Sequence, residues 1–530
     1  MPEHHDQRPL GAQISKMLAA RGVDTIFGIP GVHNIELYRG LSDSGLTHIL
    51  ARHEQGAGFM ADGYARATGK PGVAYVITGP GLTNIMTPMG QAYSDSVPML
   101  VISSCLNRAD LGMGRGRLHE MKDQEIAAGT VCDWSHTAMD AASAYMLIDR
   151  ALTEFETQRP RPKHIQIPIE TLETMAPASP PRAVLTAPES ISLDATLQPI
   201  LDARRPLFIF GGGARHAHQA ARQVTDKLQA ATFTTYAGRG IIAPDTPLHF
   251  GSYLARPDSA DIFARADLIV AIGTELSETD LWRDHPGHDC PLIRVDIDPA
   301  EFSDTTASLN IRCDARAFLA KLNDHTKAHT ANTDWTAAEV AAARTRWRAQ
   351  TDAERPGIVA VCDALKGALP PQTRIFSDMT QFAYVAKEIW DMAEPGLWHH
   401  PYGFGTLGYA LPAAIGAKAG LRDQPVIAIA GDYGFQYTIQ ELGTAAELNL
   451  PLPILLWDNG LLKEIEASMT HAQIAPVAIK AFNPDFSHLA AAYGLGYAKP
   501  GTLQELQDVV GTALTANGPS IIHMTLAMTG

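Results

Sequence analysis

The 530-residue sequence predicts an α/β protein made of three doubly wound parallel-sheet domains. Short apolar runs that end in Gly-rich or polar turns, and then lead into helical patterns, recur from one end of the chain to the other. Because continuous apolar strands are buried on both faces, such runs indicate parallel sheets covered by helices. At roughly 150 residues per domain, the length also exceeds what a single hydrophobic core holds.

The apolar runs fall into three groups along the chain. The predicted strands are 23–27, 73–77, 99–102 and 164–169, then 207–210, 268–272 and 293–297, and finally 426–430, 454–457 and 521–525. Two other stretches separate the groups: residues 176–190 are rich in Pro, Ala and Ser and predict an extended linker, whereas 326–355 is polar and partly helical. We therefore place the three domains at residues 9–175, 190–325 and 356–530.

Composition excludes several classes of protein. Apolar residues make up 45% and charged residues 19%, which is a globular mixture rather than a disordered or fibrous one. The net charge is −15 and no basic run is present, so we expect no nucleic-acid or membrane partner. Five scattered cysteines without a CxxC pair favour a reducing compartment over a disulfide framework or a zinc site. The polar N-terminus and the lack of a long apolar stretch lead us to expect a soluble cytoplasmic protein.

Oxygen ligands follow two consecutive strands of the third domain. Gly431, Asp432, Tyr433 and Gly434 come directly after one strand, and Asn459 follows the next. Because the carboxyl ends of parallel strands share one edge of the sheet, Asp432 and Asn459 should lie close together. A carboxylate and an amide oxygen suit Mg²⁺, and the glycine N–H groups suit a phosphate near a helix N-terminus. The alternative, that Asp432 only caps a helix, does not account for Asn459.

This pattern, with Asn459 placed 27 positions after Asp432, resembles the motif of thiamine-diphosphate-dependent enzymes. The resemblance implies that Asp432, Asn459 and the main-chain carbonyl of Leu461 ligate Mg²⁺, which holds the diphosphate of the cofactor. Tyr433 stands where the commoner motif has a second Gly, so we expect binding to persist in a more crowded pocket. The remaining residues that the resemblance places around the diphosphate are Gly431, Gly434, Leu462, Thr380 and Gln381.

A second stretch, residues 52–66, resembles the glutamate motif of the same family. The aminopyrimidine of thiamine becomes an internal base only when a carboxyl group in a dry pocket shares a proton with its far ring nitrogen. Its imino form then removes the C2 proton of the thiazolium and creates the carbanion nucleophile. The resemblance assigns Glu54 to this role. The alternative is a glutamate that only stabilises a helix N-terminus through the helix dipole.

Three Gly-rich segments extend the resemblance over nearly the whole chain. Segments 28–31 and 78–84 resemble the loops on the pyrimidine side, which implies roles for Pro30, Gly79 and Asn84. Segment 403–414 resembles the one that holds the cofactor in a V shape, with Gly405 and the bulky Leu407. The implied order is a pyrimidine-binding, a middle and a diphosphate-binding domain. In this family the first domain of one subunit meets the third domain of another, so we expect at least a homodimer and usually a homotetramer.

The middle domain offers a weaker signal. The run Gly211 to Gly213 follows a strand and could be a dinucleotide fingerprint, and Asp296 and Asp298 could bind a ribose or simply end a strand. We favour a middle domain without a ligand, and FAD or a nucleotide stays open.

The implied reaction begins with attack of the carbanion on a 2-oxo acid and loss of CO₂. Protonation then gives an aldehyde, as in a decarboxylase, whereas attack on a second carbonyl gives a hydroxyketone, as in a carboligase. His119 falls where relatives carry an active-site His or Gln, and an imidazole can transfer protons near neutral pH. The side chains of His399, His400 and Tyr402 could line the same pocket, or they could simply be packed.

Within the family, segments 31–33, 36–40, 52–66, 118–120 and 273–280 look most similar to those of 5-guanidino-2-oxopentanoate (2-ketoarginine) decarboxylases and of enzymes of acetolactate-synthase type. A guanidinium substrate needs a carboxylate, since a buried unpaired cation is costly, and the sequence does not rank Glu464, Glu120 and Asp280 for this role. Lys463, where relatives often carry Gly, would repel a guanidinium or attract an acidic substrate. A third hypothesis, a regulatory protein that keeps the cofactor, is disfavoured by the joint presence of Glu54, Asp432 and Asn459.

Overall fold

The structure is a computed structural model that describes residues 7–182, 192–193, 196–303, 307–327, 329, 331, 333–480 and 482–529. Residues 183–190 of the predicted linker lie outside these ranges. Three parallel sheets follow one another along the chain, each flanked by helices. The predicted α/β class with three parallel-sheet domains is thereby confirmed.

The first sheet has six parallel strands in the order β3-β2-β4-β5-β7-β6, and a two-stranded antiparallel pair, β1 with β8, stands beside it. The strands are β1 (Arg8–Pro9), β2 (Thr25–Gly28), β3 (Thr47–Leu50), β4 (Gly72–Val76), β5 (Met99–Cys105), β6 (Trp134–Thr137), β7 (Lys163–Pro168) and β8 (Met175–Ala176). The helices are α1 (Leu10–Ala20), α2 (Ile35–Arg39), α3 (Leu41–Ser44), α4 (Glu54–Thr68), α5 (Pro80–Ser94), α6 (Gln124–Gly129), α7 (Ala141–Thr157) and α8 (Ile169–Glu173).

The middle sheet has five parallel strands in the order β10-β9-β11-β12-β13. Its strands are β9 (Pro206–Phe210), β10 (Ala231–Thr234), β11 (Leu268–Ile272), β12 (Leu292–Asp296) and β13 (Leu309–Arg312). The helices are α9 (Leu197–Asp202), α10 (His218–Leu228), α11 (Ala260–Ala264), α12 (Glu278–Leu281) and α13 (Ala315–His325), with 3₁₀ turns at Gly212–Ala217, Pro257–Ser259 and Pro299–Phe302. Helix α14 (Ala337–Glu354) then crosses the polar segment 326–355.

The third sheet has six parallel strands in the order β15-β14-β16-β17-β19-β18. Its strands are β14 (Arg374–Ser377), β15 (Trp398–His399), β16 (Val426–Gly431), β17 (Leu452–Trp457), β18 (Gly496–Ala498) and β19 (Pro519–Met524). The helices are α15 (Ile358–Ala368), α16 (Gln381–Ile389), α17 (Ala410–Gly420), α18 (Asp432–Phe435), α19 (Leu442–Leu448), α20 (Lys463–His471), α21 (Phe486–Ala492) and α22 (Leu503–Ala513), with 3₁₀ turns at Ile439–Glu441 and Leu526–Thr529.

The first and third domains pack against each other through α4 and α17. A Cβ built on Gly63 would lie 2.0 Å from the carbonyl oxygen of Ala413, and one built on Gly416 would lie 1.9 Å from that of Met60. Glycine is therefore required at both positions, because each helix touches the backbone of the other. This contact places the helix that begins at Glu54 directly against the third domain.

All ten predicted strands are present, with ends that shift by up to three residues. The sequence missed the two edge strands of each large sheet, namely β3, β6, β10, β13, β15 and β18, and it also missed the inner strand β14 and the short pair of β1 and β8. Strands β3, β13 and β18 are half exposed and therefore lack the continuous apolar run that identifies a buried strand.

Within the described ranges, every helix is too short or too polar to span a bilayer.

Candidate active site

Glu54 is the first residue of α4 and is 9% exposed. Asn84, on α5, donates a hydrogen bond from Nδ2 to Oε2 of Glu54 at 2.9 Å. The other carboxylate oxygen faces Gly81, where a Cβ would stand 3.4 Å from Oε1. Two residues singled out by different motifs therefore meet, and one oxygen of the carboxylate is held by Asn84 while the other lies over a glycine.

The segment that precedes Glu54 is held by the third domain of the same chain. The carboxylate of Glu441 accepts hydrogen bonds from the backbone N–H groups of Arg52 and His53, at 3.0 to 3.1 Å. A Cβ on Gly56 would lie 2.2 Å from Oε1 of Glu441. The position of Glu54 thus depends on the contact between domains and not on α4 alone.

Gly79 and His119 form a second contact of the first domain. Gly79 has a φ of +70° and donates its N–H to Oε1 of Gln124 at 2.8 Å, and a Cβ on it would lie 2.5 Å from the carbonyl oxygen of His119. His119 itself has a φ of +63°, which is uncommon for a residue with a side chain and concentrates at functional sites. Pro30, on the neighbouring loop, is exposed.

His33 is a residue to which the sequence gave no role. Its ring lies 5.0 Å from the ring of His119, edge to face. The Nδ1 atoms of both rings are buried and lack a hydrogen-bond partner among the described residues. Burial and the neighbouring charge of His119 lower the pKa of His33, so its imidazole is neutral at pH 7. The structure therefore pairs two histidines beside Gly79.

In the third domain, β16 delivers Asp432 and β17 delivers Asp458 and Asn459 to the same sheet edge, since Gly431 pairs with Trp457 in register. Oδ2 of Asp432 accepts hydrogen bonds from the N–H of Gly460 at 3.1 Å and from Nδ2 of Asn483 at 2.7 Å. Asn483 also bonds Asp458 at 3.1 Å. Burial, aided by the charge of Asp458, raises the pKa of Asp432. A cation at this edge would stabilise the two neighbouring carboxylates.

Asn459 belongs to a hydrogen-bonded group that includes the start of α16. Its Oδ1 accepts from the N–H of Leu461 at 3.3 Å, and its Nδ2 donates to Oε1 of Gln381 at 3.3 Å. Thr380 lies next to Gln381 and 3.3 Å from a Cβ built on Gly431. The N–H of Leu462 is bonded to the carbonyl of Ile479. The structure thus brings the predicted metal ligands and diphosphate residues together at one sheet edge.

Leu407 lies between two glycines of positive φ, Gly405 and Gly408. Its Cδ2 is 3.4 Å from a Cβ built on Gly434, so the predicted V-supporting residue stands against the Gly-Asp turn. Tyr433 points to another aromatic side chain, Tyr437, at a ring distance of 5.6 Å.

Asp378, directly after β14, is a residue that the sequence reasoning missed. It is 1% exposed and accepts hydrogen bonds from the N–H groups of Met379 and Gly408 at 2.9 and 2.8 Å. Burial raises the pKa of Asp378 to about 6, although these N–H groups oppose the shift. An acidic residue at the carboxyl end of a parallel strand was the available signal, but β14 itself was not predicted.

The three carboxylates considered for a guanidinium substrate have partners in the protein. Glu464 forms a two-point ion pair with Arg355 and bonds Gln381 at 2.7 Å. Glu120 accepts from two backbone N–H groups, and Ser277 donates to Asp280 at 3.4 Å. The cation considered as a repelling group, Lys463, is exposed and paired with Glu466.

The predicted pocket histidines of the third domain are packed inside it. His400 is 1% exposed, and its Nδ1 lies 3.0 Å from Oγ of Ser377, while its ring lies 5.1 Å from that of Tyr402. His399 packs on the ring of Phe376 at 4.8 Å. Burial lowers the pKa of both histidines well below the ordinary range, so both are neutral.

The carboxyl edge of the middle sheet is closed by the protein itself. A Cβ on Gly211 would lie 2.2 Å from the carbonyl oxygen of Gly273, so the Gly-rich turn packs directly on the next strand end. Arg159, from the first domain, reaches this edge and forms ion pairs with Glu275, Asp298 and Glu301.

Three parallel-sheet domains, with a buried glutamate on the first and an Asp–Asn pair on the third, define a thiamine-diphosphate-dependent enzyme. The chain belongs to the thiamine pyrophosphate enzyme family. Residues 8–126 match the N-terminal TPP binding domain, residues 193–322 match the central domain, and residues 378–524 match the C-terminal TPP binding domain.

Two kinds of relative are similar over nearly the full length. The probable 2-ketoarginine decarboxylase of Pseudomonas aeruginosa is 44% identical over 97% of this chain and 93% of its own. The acetolactate synthase large subunit of Corynebacterium glutamicum is 30% identical over 97% of this chain and 86% of its own. The isozyme 2 large subunit of acetolactate synthase from Escherichia coli is 28% identical, over 97% and 95%.

Proposed function

We propose that the chain is a thiamine-diphosphate- and Mg²⁺-dependent decarboxylase that converts 5-guanidino-2-oxopentanoate into an aldehyde and CO₂. The observation that carries this proposal is the full-length similarity, at 44% identity, to a protein named as a probable 2-ketoarginine decarboxylase. The geometry supports it, because Asn84 bonds Glu54 on the first domain, and Asp432 and Asn459 follow neighbouring strands on the third, as the two halves of such a cofactor site would require.

The residues present fit the cofactor. Asp432, Asn459 and the carbonyl of Leu461 supply the hard oxygen atoms that Mg²⁺ prefers, at an edge where two carboxylates lie close together. The diphosphate would be surrounded by Gly431, Tyr433, Gly434, Thr380, Gln381 and Leu462. The two rings of the cofactor would be surrounded by Pro30, Gly79, Asn84, Gly405 and Leu407. The described residues contain no cluster of three His, Cys, Asp or Glu side chains suited to a metal, so the site depends on the amide and the carbonyl.

When bound, thiamine diphosphate supplies the carbanion nucleophile and the electron sink for loss of CO₂. Glu54 would hold the shared proton on Oε1, since Asn84 occupies Oε2. His119, paired with His33, would deliver the proton that takes the place of the lost carboxylate on the product carbon. The strained backbone at His119 would keep the imidazole turned toward this position.

We further propose that two subunits share each site, as at least a homodimer and usually a homotetramer. Large apolar side chains are exposed on the first domain near Gly31 and His119, namely Val32, Ile35, Leu118 and Ile126. Others are exposed on the third domain around the diphosphate residues, namely Phe404, Ile465, Ile474, Val477 and Phe482. Exposed apolar surface at both halves supports a protein interface there.

The alternative is a carboligase of acetolactate-synthase type, which the second group of relatives supports. A panel of 2-oxo acids, scored for CO₂ and for the organic product with and without cofactor and Mg²⁺, tests both. We expect aldehyde and cofactor-dependent CO₂ from 5-guanidino-2-oxopentanoate. Acetolactate rather than acetaldehyde from pyruvate would favour the alternative, and release of CO₂ from none of the acids would contradict both.

Three finer predictions stand beside this proposal. The domain limits at 9–175, 190–325 and 356–530 and the cytoplasmic location stay predictions. We propose that the middle domain works without FAD or another nucleotide, because Arg159 and the packed Gly-rich turn take up the strand ends where such a ligand binds.

A further inference from the structure

The first domain contains a cavity of about 400 Å³ between the ends of β5, β6 and β7 and the segment that leads into α6. Cys105 and Gln166 line it from the strands, Met121 lines it from the segment, and Gln124 and Glu125 line it from the start of α6. Thr78 and Gln124 also line the cavity, and both contact Gly79. Thr78 precedes Gly79 in the chain, and Oε1 of Gln124 accepts a hydrogen bond from the N–H of Gly79 at 2.8 Å. The cavity therefore begins at the predicted pyrimidine loop, beside Gly79 and its neighbour His119.

Gln166 lines this cavity and carries an unused acceptor just below the cavity surface. It is 4% exposed, and its Oε1 is buried without a hydrogen-bond partner in the described part of the chain. The orientation of its amide follows from the neighbours. Thr137 gives its single hydroxyl proton to the carboxylate of Glu125, so its oxygen can only accept, and it does so from Nε2 of Gln166 at 2.7 Å. The amide nitrogen is thereby committed to Thr137, and Oε1 is the atom left free.

The charges of the lining favour a positively charged ligand. Glu125 and Asp123 are acidic, and Lys122, an exposed residue, is the cation among the lining side chains. Burial and the charge of Glu125 raise the pKa of the Cys105 thiol, which therefore stays neutral. The other walls are apolar, with Leu106, Leu111, Met121 and Ile126. A buried acceptor, a nearby carboxylate and apolar walls suit an alkyl chain that ends in a cationic group.

We propose that this cavity binds the guanidinium end of the substrate, with Gln166 and Glu125 as the residues that recognise it. This inference rests on the proposed decarboxylation and adds its specificity site. A guanidinium carries five N–H donors in one plane, so it can bond the carboxylate of Glu125 at the cavity surface and, once the side chain of Gln166 turns toward the cavity, Oε1 of Gln166 as well. Glu464 is bonded to Arg355 and Gln381, and Glu120 accepts from two backbone N–H groups. Glu125 instead accepts from one hydroxyl, that of Thr137, and Oε1 of Gln166 is unpartnered among the described residues.

The test compares two substrates in the holoenzyme. Glu125→Gln and Gln166→Leu should each raise KM for 5-guanidino-2-oxopentanoate about 10- to 100-fold, the effect of losing a hydrogen bond to a charged group. KM for 2-oxopentanoate, which lacks the guanidinium, should stay within about twofold. Glu173→Gln, an exposed carboxylate of the same domain, is the matched control and should change neither value. An equal increase in KM for both substrates would show that these residues only support the fold, and it would overturn the proposal.

A binding measurement separates this inference from the proposed activity. Calorimetry with 4-guanidinobutanoate, a probe that cannot be decarboxylated as a 2-oxo acid, should show binding that Glu125→Gln weakens, with pentanoate as the uncharged-tail control. If the wild-type enzyme decarboxylates no 2-oxo acid while this Glu125-dependent binding persists, the proposed function fails and the cavity assignment stands. If 2-oxopentanoate is decarboxylated while neither guanidino compound binds, the cavity assignment fails and the decarboxylase stands.

Discussion

Nδ2 of Asn84 donates a hydrogen bond to Oε2 of Glu54 at 2.9 Å, which joins the starts of two helices of the first domain. The bond holds one carboxylate oxygen and leaves the other over Gly81. Because Glu54 is nearly buried, its orientation has few alternatives, and a proton placed on Oε1 would point away from Asn84. A carboxyl group fixed in this way is suited to share a proton with a ring nitrogen.

Replacing Glu54 by Gln should reduce kcat at least about 100-fold, because an amide cannot share the proton. The fold should be kept, because Asn84 can still donate a hydrogen bond to the amide oxygen of Gln. Steady-state kinetics measure the loss, and circular dichroism checks the fold. Glu278→Gln, which changes an exposed glutamate that also begins a helix, is the control. Full activity of Glu54→Gln would disprove the assigned role.

Replacing Asp432 by Asn should weaken Mg²⁺-dependent binding of thiamine diphosphate about tenfold or more, because one charged oxygen ligand is lost. Titration of the apoprotein with cofactor at several Mg²⁺ concentrations measures this change. The exposed Asp352→Asn serves as the control. An unchanged dependence on Mg²⁺ would remove Asp432 from the proposed metal site.

Mixing these two variants, at Mg²⁺ and cofactor concentrations too low to load Asp432→Asn, tests whether sites are shared between subunits. A mixed dimer of Glu54→Gln and Asp432→Asn chains has one site with both residues intact. Random exchange makes half of the dimers mixed, so activity should return to about one quarter of the wild-type value. Each variant alone is the control. A mixture that stays inactive after proven subunit exchange would mean that each chain builds its own site.

Substituting Gly416 by Ala should destabilise the protein by about 2 kcal/mol, because its Cβ would meet the backbone oxygen of Met60, which cannot move aside. Urea unfolding measures the change. The control is Gly511→Ala, also in a helix but with open space around it, and it should stabilise slightly. Equal stability of the two variants would contradict the close packing of α4 on α17.

Asp378 should make stability depend on pH between about 4 and 6. Its pKa rises from 3.8 in the unfolded chain to about 6 in the folded one, so the folded state binds the extra proton in this window. Stability from this group therefore falls as pH rises to about 6 and is constant above it. Asp378→Asn should remove this fall. The free energy of unfolding of the variant, taken relative to the wild type, should therefore be about 1 to 3 kcal/mol higher at pH 7 than at pH 4. The same difference in free energy of unfolding between variant and wild type at pH 4 and at pH 7 would contradict this prediction.

The sequence predicted every inner strand of the large sheets except β14, and it predicted none of their edge strands. Strands such as β4 and β16 are apolar at every position because helices cover both faces, and such a run is visible in one dimension. An edge strand such as β13 alternates between half-exposed and exposed residues, and pairing with β12 is what makes it a strand. The strand conformation of β13 therefore depends on its pairing with the rest of the sheet and not on its own sequence.

The sequence alone determined the α/β class, the three-domain order and the family, because strand burial and the motifs around Glu54 and Asp432 are local properties of the chain. Tertiary structure decided which side chains share those sites. His33 meets His119, Asn84 meets Glu54, and Glu441 holds the turn before Glu54 across 388 positions of sequence. Such contacts arise from the packing of distant segments, which no local pattern of residues specifies.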